Sequence, residues 1–112
     1  MRKVVRDGEV AVLISTDWGS GWYTANPDCT DCLFDPDIVH LVETLDLSEF
    51  VNVERICELA ESKWGTADRY FSTWGAGSLE IVWLPEGTRF LVREYDGREW
   101  IETMADLEWL QA

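Results

Sequence analysis

The sequence predicts an α+β fold: an antiparallel sheet of two hairpin units, an N-terminal hairpin and a C-terminal meander, packed against two helices. Two Asp-Gly pairs, Asp7-Gly8 and Asp96-Gly97, separate short strand-like segments, and a type I′ hairpin turn needs positive φ at both central residues. Between these pairs lie two stretches with apolar residues at helical spacing. At 112 residues, the chain is expected to form a single α+β domain, residues 1–112.

The N-terminal hairpin is predicted for residues 3–15, with its turn at Asp7-Gly8. Its second strand is apolar at every position from 10 to 14. A strand of this kind is expected at the centre of a sheet and covered on both faces. The first strand carries basic residues that suit an exposed edge, namely Arg2, Lys3 and Arg6.

A long loop follows the hairpin, over residues 16–33, and it is rich in turn-forming residues. Connections of this length are uncommon inside compact domains and are usually functional or mobile. Three aromatic residues, Trp18, Trp22 and Tyr23, accompany its two glycines. This composition makes the loop the first candidate for a binding surface.

Two helices are predicted next. Asp35-Pro36 is typical of an N-cap followed by proline at the first helical position, and it predicts a helix over residues 36–45. Asn52 is interpreted as the cap of a second helix, which ends at Lys63 and Gly65. Each helix has one apolar stripe and carries its acidic residues on the outer face.

The C-terminal half begins with an irregular segment, residues 66–78, in which Tyr70, Phe71 and Trp74 precede a Gly-Ala-Gly run. The alternation over residues 79–101 then predicts a three-stranded antiparallel meander, with turns at Pro85-Glu86-Gly87 and at Asp96-Gly97. Beyond it, Thr103 is predicted to cap one turn around residues 105–107, and residues 108–110 to return as a short strand.

Charge is unevenly distributed along the chain. The sequence has 22 acidic and 9 basic residues, and residues 28–61 hold ten carboxylates against Arg55 alone, a net charge of −9 out of −13. Six basic residues fall in the two hairpin regions: Arg2, Lys3, Arg6, Arg89, Arg93 and Arg98. Direct nucleic-acid binding is not expected, because binding to phosphates depends on Lys and Arg displacing counterions. Solubility alone is the simpler reason for such acidity.

The three cysteines, Cys29, Cys32 and Cys57, are an odd number, which disfavours a disulfide framework. Cys29 and Cys32 have the spacing of half a zinc site or of a redox pair. A structural zinc site needs four ligands, however, and only Cys57 and His40 remain, both inside predicted helices. The acidic loop is also expected to raise thiol pKa values, opposite to what a reactive cysteine requires. We therefore expect no metal and no cofactor.

Catalysis is not expected. His40, the sole histidine, is predicted on the flank of the first helix as a structural residue. The acidic pairs Asp35/Asp37 and Glu94/Asp96 are explained by capping and turns. The two common phosphate-binding glycine motifs, G-x-x-x-x-G-K-[ST] and G-x-G-x-x-G, do not occur between a predicted strand and a predicted helix. The sequence thus predicts no catalytic residue, and we interpret the protein as a non-enzyme.

A ligand site is predicted where the two glycine-containing loops and the meander arginines come together. Glycine lets backbone N–H groups approach an anion, Trp faces stack on a base, and Arg pairs with phosphate. Alternatively, the Trp residues only close the ends of the sheet. The predicted ligand-binding residues are Trp18, Gly19, Gly21, Trp22, Thr24, Trp74, Gly75, Arg89 and Arg93.

Five segments resemble a group of small orphan proteins encoded by bacteriophages and prophages. They are RDGxVAVL at 6–13, GxGWxT at 19–24, CLFDPxIV at 32–39, WLPEGTxF at 83–90 and EYDG at 94–97. The similarity covers most of the chain, and the WLPEGT run is its most specific part. The resemblance implies a viral protein in the host cytoplasm and transfers no catalytic residue.

Two functions are compatible with that setting. The first is a sponge that sequesters a nucleotide-derived host immune signal, of a cyclic or ADP-ribose type, as a homo-oligomer. The second is an acidic inhibitor that blocks a basic, nucleic-acid-binding host defence protein by charge mimicry. A structural protein of the virion is a third, simpler interpretation. The start Met1-Arg2-Lys3 leads straight into a strand pattern, and no apolar run has the length of a membrane span, so neither a secretory leader nor membrane association is expected.

Overall fold

Strand β2 lies at the centre of the molecule because its side chains are apolar on both faces. The computed structural model describes residues 2–19 and 21–104. Its strands are β1 (Val5–Arg6), β2 (Glu9–Ser15), β3 (Leu79–Pro85), β4 (Phe90–Tyr95) and β5 (Arg98–Thr103). Its helices are α1 (Pro36–Thr44) and α2 (Phe50–Trp64), with short 3-10 helices at Thr30–Leu33 and Ala76–Ser78. The predicted α+β class is confirmed.

Both Asp-Gly pairs form the predicted hairpin turns. The φ angles are 51° at Asp7 and 79° at Gly8, and 49° at Asp96 and 84° at Gly97. Positive φ at both central positions gives a turn whose twist matches the flanking strands. The first turn pairs β1 with β2, and the second pairs β4 with β5, both antiparallel.

The predicted meander is wrong in one pairing. Strand β3 does not pair with β4; it pairs antiparallel with β2, in a register that sets Val10 opposite Leu84. The predicted turn at Pro85-Glu86-Gly87 is confirmed: Gly87 has a φ of 85°, and the N–H of Thr88 donates to the Pro85 carbonyl at 3.0 Å. The N–H of Glu86 donates to the Gly8 carbonyl at 2.8 Å, and the strand that follows the turn does not pair with β3. Strands β4 and β5 therefore form a second, two-stranded sheet.

The alternation of side chains along β2 separates two hydrophobic cores. Ala11 and Leu13 face the helices and pack with Trp22, Ile38 and Ile56. Val10 and Val12 face the other way, toward the β4–β5 hairpin, in a cluster that also contains Leu33, Phe34, Phe90, Val92 and Ile101. The prediction that this strand is covered on both sides is confirmed, and the layers are helices, sheet and hairpin.

Local signals explain the helix ends. The Asp35 carboxylate accepts a hydrogen bond from the N–H of Ile38 at 3.0 Å, which confirms the predicted N-cap. Helix α2 begins at Phe50, with Glu49 as its N-cap, so the predicted start at Asn52 is wrong. Asn52 lies inside the first turn, where its Nδ2 donates to the Asp46 carbonyl at 2.9 Å.

The C-terminal turn predicted at residues 105–107 and the strand predicted at 108–110 lie outside the described residues. Within the described ranges, no helix is both long enough and apolar enough to span a membrane.

Candidate functional site

The first glycine loop, residues 16–29, encloses a carboxylate. Glu99 of β5 is only 2% exposed, and its Oε2 accepts hydrogen bonds from the N–H of Trp22 at 3.1 Å and of Thr24 at 2.8 Å. The Thr24 hydroxyl donates to the same oxygen at 2.7 Å. Oε1 accepts from the N–H of Ser15 at 2.8 Å and from its hydroxyl at 3.2 Å. Five donors thus converge on one buried carboxylate.

The glycines of this loop make that arrangement possible. Gly19 and Gly21 have φ angles of 74° and 88°, which side-chain-bearing residues rarely adopt. The N–H of Gly21 donates to the Ser15 hydroxyl at 3.0 Å, and the N–H of Gly19 donates to the Asp96 carbonyl. The loop amides were predicted to bind an anion, and in the folded chain an internal anion, the Glu99 carboxylate, occupies them.

The second glycine loop, residues 65–75, is fixed against the first. A Cβ placed on Gly75 would lie 2.6 Å from the Gly21 carbonyl oxygen, so the two backbones are in direct contact. Asn26 joins the loops further: its Nδ2 donates to the Ser72 carbonyl at 2.9 Å, and its Oδ1 accepts from the Ser72 N–H at 2.8 Å. The two loops therefore meet, but they leave no space for a ligand where Gly21 contacts Gly75.

Several predicted binding residues lie in the interior. Trp22 is 0% exposed; its indole N–H donates to the Cys32 carbonyl at 2.8 Å, and its ring packs edge-on against Phe71 at 5.4 Å. Thr24 points at Glu99, while Gly21 and Gly75 are buried against each other. These four residues support the fold of the loops and have no free polar group directed toward a guest molecule.

The other predicted binding residues are exposed but do not form one group. Trp18 and Trp74 are 55% and 75% exposed, on the first and second loops. Arg93 on β4 forms an ion pair with Glu102 at 3.1 Å. Arg89 is exposed near the other end of the hairpin, beside a cleft of about 570 Å³ that it lines together with Phe90, Leu91 and Met104.

Trp18 instead contacts the turn end of the β4–β5 hairpin. Its ring packs edge-on against Tyr95, with 5.7 Å between ring centroids, and the Arg98 guanidinium lies 5.6 Å from its indole centroid. Tyr95 and Arg98 are directly opposite each other in the β4–β5 register. We call Trp18, Tyr95 and Arg98 the Trp18 platform.

The platform continues along the outer face of the hairpin. Period-2 alternation places Phe90, Val92 and Ile101 against the sheet, and the intervening side chains face outward. The outward residues pair across the strands as Tyr95 with Arg98, Arg93 with Trp100, and Leu91 with Glu102. This face therefore combines exposed aromatic rings with two arginines, in a protein that is strongly acidic overall.

No protein-family model, curated protein or solved structure matches this chain. The functional interpretation consequently depends on its own residues. Sequence reasoning placed Trp18 in the site and named Arg98 among the meander arginines that could pair with phosphate, but it missed Tyr95 and placed neither residue beside Trp18. The hairpin signal was sufficient to group Tyr95 with Arg98, because these two residues flank the two-residue turn on opposite strands.

The cysteines are placed in the core rather than at a reactive surface. Cys29 and Cys32 are both buried, and burial raises the pKa of the Cys32 thiol, with the neighbouring Cys29 adding to the effect. The direction agrees with the predicted rise, although burial rather than acidic neighbours is the main cause. Throughout residues 2–19 and 21–104, no cluster of three His, Cys, Asp or Glu side chains is arranged to hold a metal ion.

The acidic surface lies on the opposite side of the central sheet from the hairpin, on and around the helices. Of the ten carboxylates between residues 28 and 61, nine are exposed, and Asp35 is half-buried. Lys63 joins the helices through Asp37 at 2.8 Å and Asp35 at 3.2 Å. The hydrogen bond from Lys63 lowers the pKa of Asp37, and the same bond raises the pKa of Lys63. Arg6 similarly lowers the pKa of Glu43.

Proposed function

We propose that this protein is a non-enzymatic binding protein that takes a nucleotide-type ligand on the Trp18 platform. The observation that carries the proposal is an exposed indole in contact with both a phenol ring and a guanidinium, at 5.7 Å and 5.6 Å. Trp18 and Tyr95 remain 55% and 68% exposed despite this contact. Exposed rings beside an arginine are suited to stacking on a base and pairing with its phosphate.

The charges around the platform favour a small anion over a long one. Among the residues that the structure describes, Arg98 has no carboxylate within ion-pair distance, whereas Arg93 is paired with Glu102. One available guanidinium and one partly occupied guanidinium match the one or two phosphates of a small nucleotide. A nucleic-acid strand would bring many phosphates close to a protein of net charge −13.

In biological terms, the proposal is a sponge: a phage-type protein that sequesters a cyclic or ADP-ribose-type immune signal in the host cytoplasm. The support for this setting is the resemblance of the sequence to phage and prophage orphan proteins. Sequestration requires affinity and abundance but no reaction, in keeping with the sequence-based prediction of no catalytic residue.

Isothermal titration calorimetry against a panel of cyclic dinucleotides, ADP-ribose and cyclic ADP-ribose tests the proposal. We expect one member to bind, and we expect Trp18→Ala and Arg98→Ala each to weaken that binding by about tenfold or more, given the 1–3 kcal/mol typical of base stacking. Trp74→Ala and Arg55→Ala are matched controls that remove another exposed indole and an exposed arginine elsewhere. A folded protein that gives no heat with any nucleotide would contradict the proposal.

A second candidate function is an acidic inhibitor that blocks a basic, nucleic-acid-binding host protein. The observation that favours it is the exposure of nine carboxylates within residues 28–61, where Arg55 is the only basic residue. Binding of this kind weakens as salt rises, because screening acts on exposed charges. A pull-down at increasing ionic strength tests it, and a partner that is retained at about 1 M salt, where the Debye length is about 3 Å, would contradict charge mimicry.

A further inference from the structure

The second glycine loop holds two large aromatic side chains in solvent. Tyr70 is 80% exposed and Trp74 is 75% exposed, although both belong to an irregular segment that has no strand or helix to hold it. Exposed rings on a loose segment can collapse onto the nearest apolar surface. These two rings remain outside because the residues between and beside them are fixed.

The fixed residues lie between the two exposed rings and directly after the second one. Phe71, next to Tyr70, is buried between the rings of Trp22 and Trp64, at 5.4 Å and 5.1 Å. Ser72 is held at both its N–H and its carbonyl by Asn26, as described above. Gly75, next to Trp74, contacts the Gly21 backbone. Pre-ordered aromatic residues of this kind reduce the entropy lost on binding, and Trp and Tyr are enriched among residues that dominate interface energies.

The loop runs along helix α2 in the opposite direction to it. The Cys57 thiol donates to the Thr73 carbonyl at 3.9 Å. A Cβ placed on Gly77 would lie 3.7 Å from a methyl group of Val53, one helical turn earlier. Toward the other end, a cleft of about 780 Å³ is lined by residues of the helix end and of the loop, including Glu61, Asp68, Arg69 and Tyr70, so its lining has two acidic residues and one basic residue.

Acidic side chains of α2 accompany the rings. Glu54, Glu58 and Glu61 are spaced i, i+4 and i+7, so they share one face of the helix, and all three are exposed. Glu61 also lines the cleft beside Tyr70. A polypeptide lying along the loop would therefore meet aromatic faces and carboxylates together. That combination complements cationic side chains.

We propose that the surface formed by Tyr70, Trp74, Glu61 and Asp68 is a docking site for an arginine-containing basic polypeptide. The inference rests on the second candidate function and gives it a location and a side-chain preference. It is separate from the Trp18 platform. Arginine is favoured over lysine because its planar guanidinium stacks on an aromatic face while its N–H groups bind carboxylates, whereas an ammonium group is more strongly hydrated.

Fluorescence anisotropy with labelled nona-arginine and nona-lysine, at about 0.15 M salt, tests the site on the full chain. We expect nona-arginine to bind more tightly than nona-lysine. The double variant Tyr70→Ala/Trp74→Ala is expected to lose about tenfold in nona-arginine affinity, from two exposed cation–π contacts, and to lose the preference for arginine. The matched double variant Trp18→Ala/Tyr95→Ala, on the platform, is expected to bind both peptides as the unaltered protein does.

The outcomes distinguish the inference from the function on which it rests. If both peptides bind equally, or if removing Tyr70 and Trp74 has no effect, then attraction is by charge alone and the docking site is overturned while charge-based blocking survives. If neither peptide binds, both are overturned. Circular dichroism of each variant shows whether it is folded, and Tyr70→Phe/Trp74→Phe, which keeps the rings, is expected to restore most of the affinity.

Discussion

The two glycine loops contain similar residues but are fixed in different ways. Each places one large aromatic residue inside, Trp22 in the first loop and Phe71 in the second, and at least one outside. The first loop is fixed by a charged group, the Glu99 carboxylate with its five donors. The second is fixed by a neutral amide, Asn26, and by backbone packing at Gly75.

This difference shows that the composition of a loop does not determine which of its side chains are buried. A glycine-rich aromatic segment can be a binding site, a structural support or both, depending on which side chain its amides bind. In the first loop the N–H groups of Gly21, Trp22 and Thr24 are already occupied, and Trp18 is the exposed ring among the loop residues that the structure describes. In the second loop the ordered backbone itself displays two rings. Four predictions test the comparison, in order of decreasing effect.

The largest effect is expected for the inner aromatic of the first loop. Trp22→Ala should lower the free energy of unfolding by about 4 kcal/mol, because it opens a large cavity beside Phe71 and leaves the Cys32 carbonyl without its donor. Trp18→Ala, four residues earlier, should lower it by about 1 kcal/mol or less. Urea denaturation measures both losses. Equal losses would contradict the placement of Trp22 in the interior and of Trp18 at the surface.

The next effect isolates the charged anchor. Glu99→Gln keeps the size of the side chain but replaces one acceptor oxygen with an NH₂ group that faces N–H donors. We expect a loss of about 3 kcal/mol in unfolding free energy, the range for hydrogen bonds to a buried charge. Glu102→Gln on the same strand, where the carboxylate is paired with Arg93 at the surface, should cost about 0.5 kcal/mol or less. A loss below about 1 kcal/mol for Glu99→Gln would mean that the carboxylate is not the anchor of the loop.

A third comparison tests the contact between the loops. Gly75→Ala places a methyl group 2.6 Å from the Gly21 carbonyl oxygen, so the backbones must separate, and we expect a loss of about 2 kcal/mol. Gly77→Ala, two residues later, meets only ordinary contact with Val53 at 3.7 Å and should be close to neutral. Thermal unfolding distinguishes the two, and similar midpoints would indicate that the loops are not in direct contact.

The smallest effect concerns the helix that leads into the second loop. Lys63→Met removes the links to Asp35 and Asp37 and should cost about 0.5–1 kcal/mol, as is usual for partly exposed pairs. Because the folded-state pKa of Asp37 lies below its unfolded value, this stabilisation is present above the unfolded pKa and is lost as pH falls through the folded one. The difference in unfolding free energy between the unaltered protein and Lys63→Met, measured by urea denaturation, should therefore shrink in acid. A difference that grows in acid would contradict this prediction.

Much of the fold was predictable because its signals are local. The Asp-Gly turns follow from the φ angles that they need, the Asp35 cap follows from one side chain and the proline after it, and the central position of β2 follows from five consecutive apolar residues. The pairing of β3 was not predictable in this way. The pairing of a strand depends on packing across the whole domain, and pairing with β2 places β3 beside a more completely buried strand than β4.

The site was only partly predictable, for a physical reason. Trp18 and Trp22 occur in the same loop, and a loop has no periodicity that assigns one to the interior. Glu99 did carry a signal: Arg98 and Trp100 face outward, so the residue between them must face the sheet, together with Ile101. A carboxylate at such an inward position needs several donors, and the nearest donor-rich segment is the glycine loop.

Placing that carboxylate on one sheet, and its donors on another sheet and a loop, also constrains how the molecule opens. Separation of the β4–β5 hairpin alone is costly, since Glu99 would leave with β5 and five donors of Ser15, Trp22 and Thr24 would lose their acceptor. Partial unfolding should instead involve the hairpin, the end of β2 and the first loop as one cooperative unit. The amide hydrogens of Trp22 and Thr24 are expected to exchange with solvent deuterium at the same rate as those of the hairpin ladder.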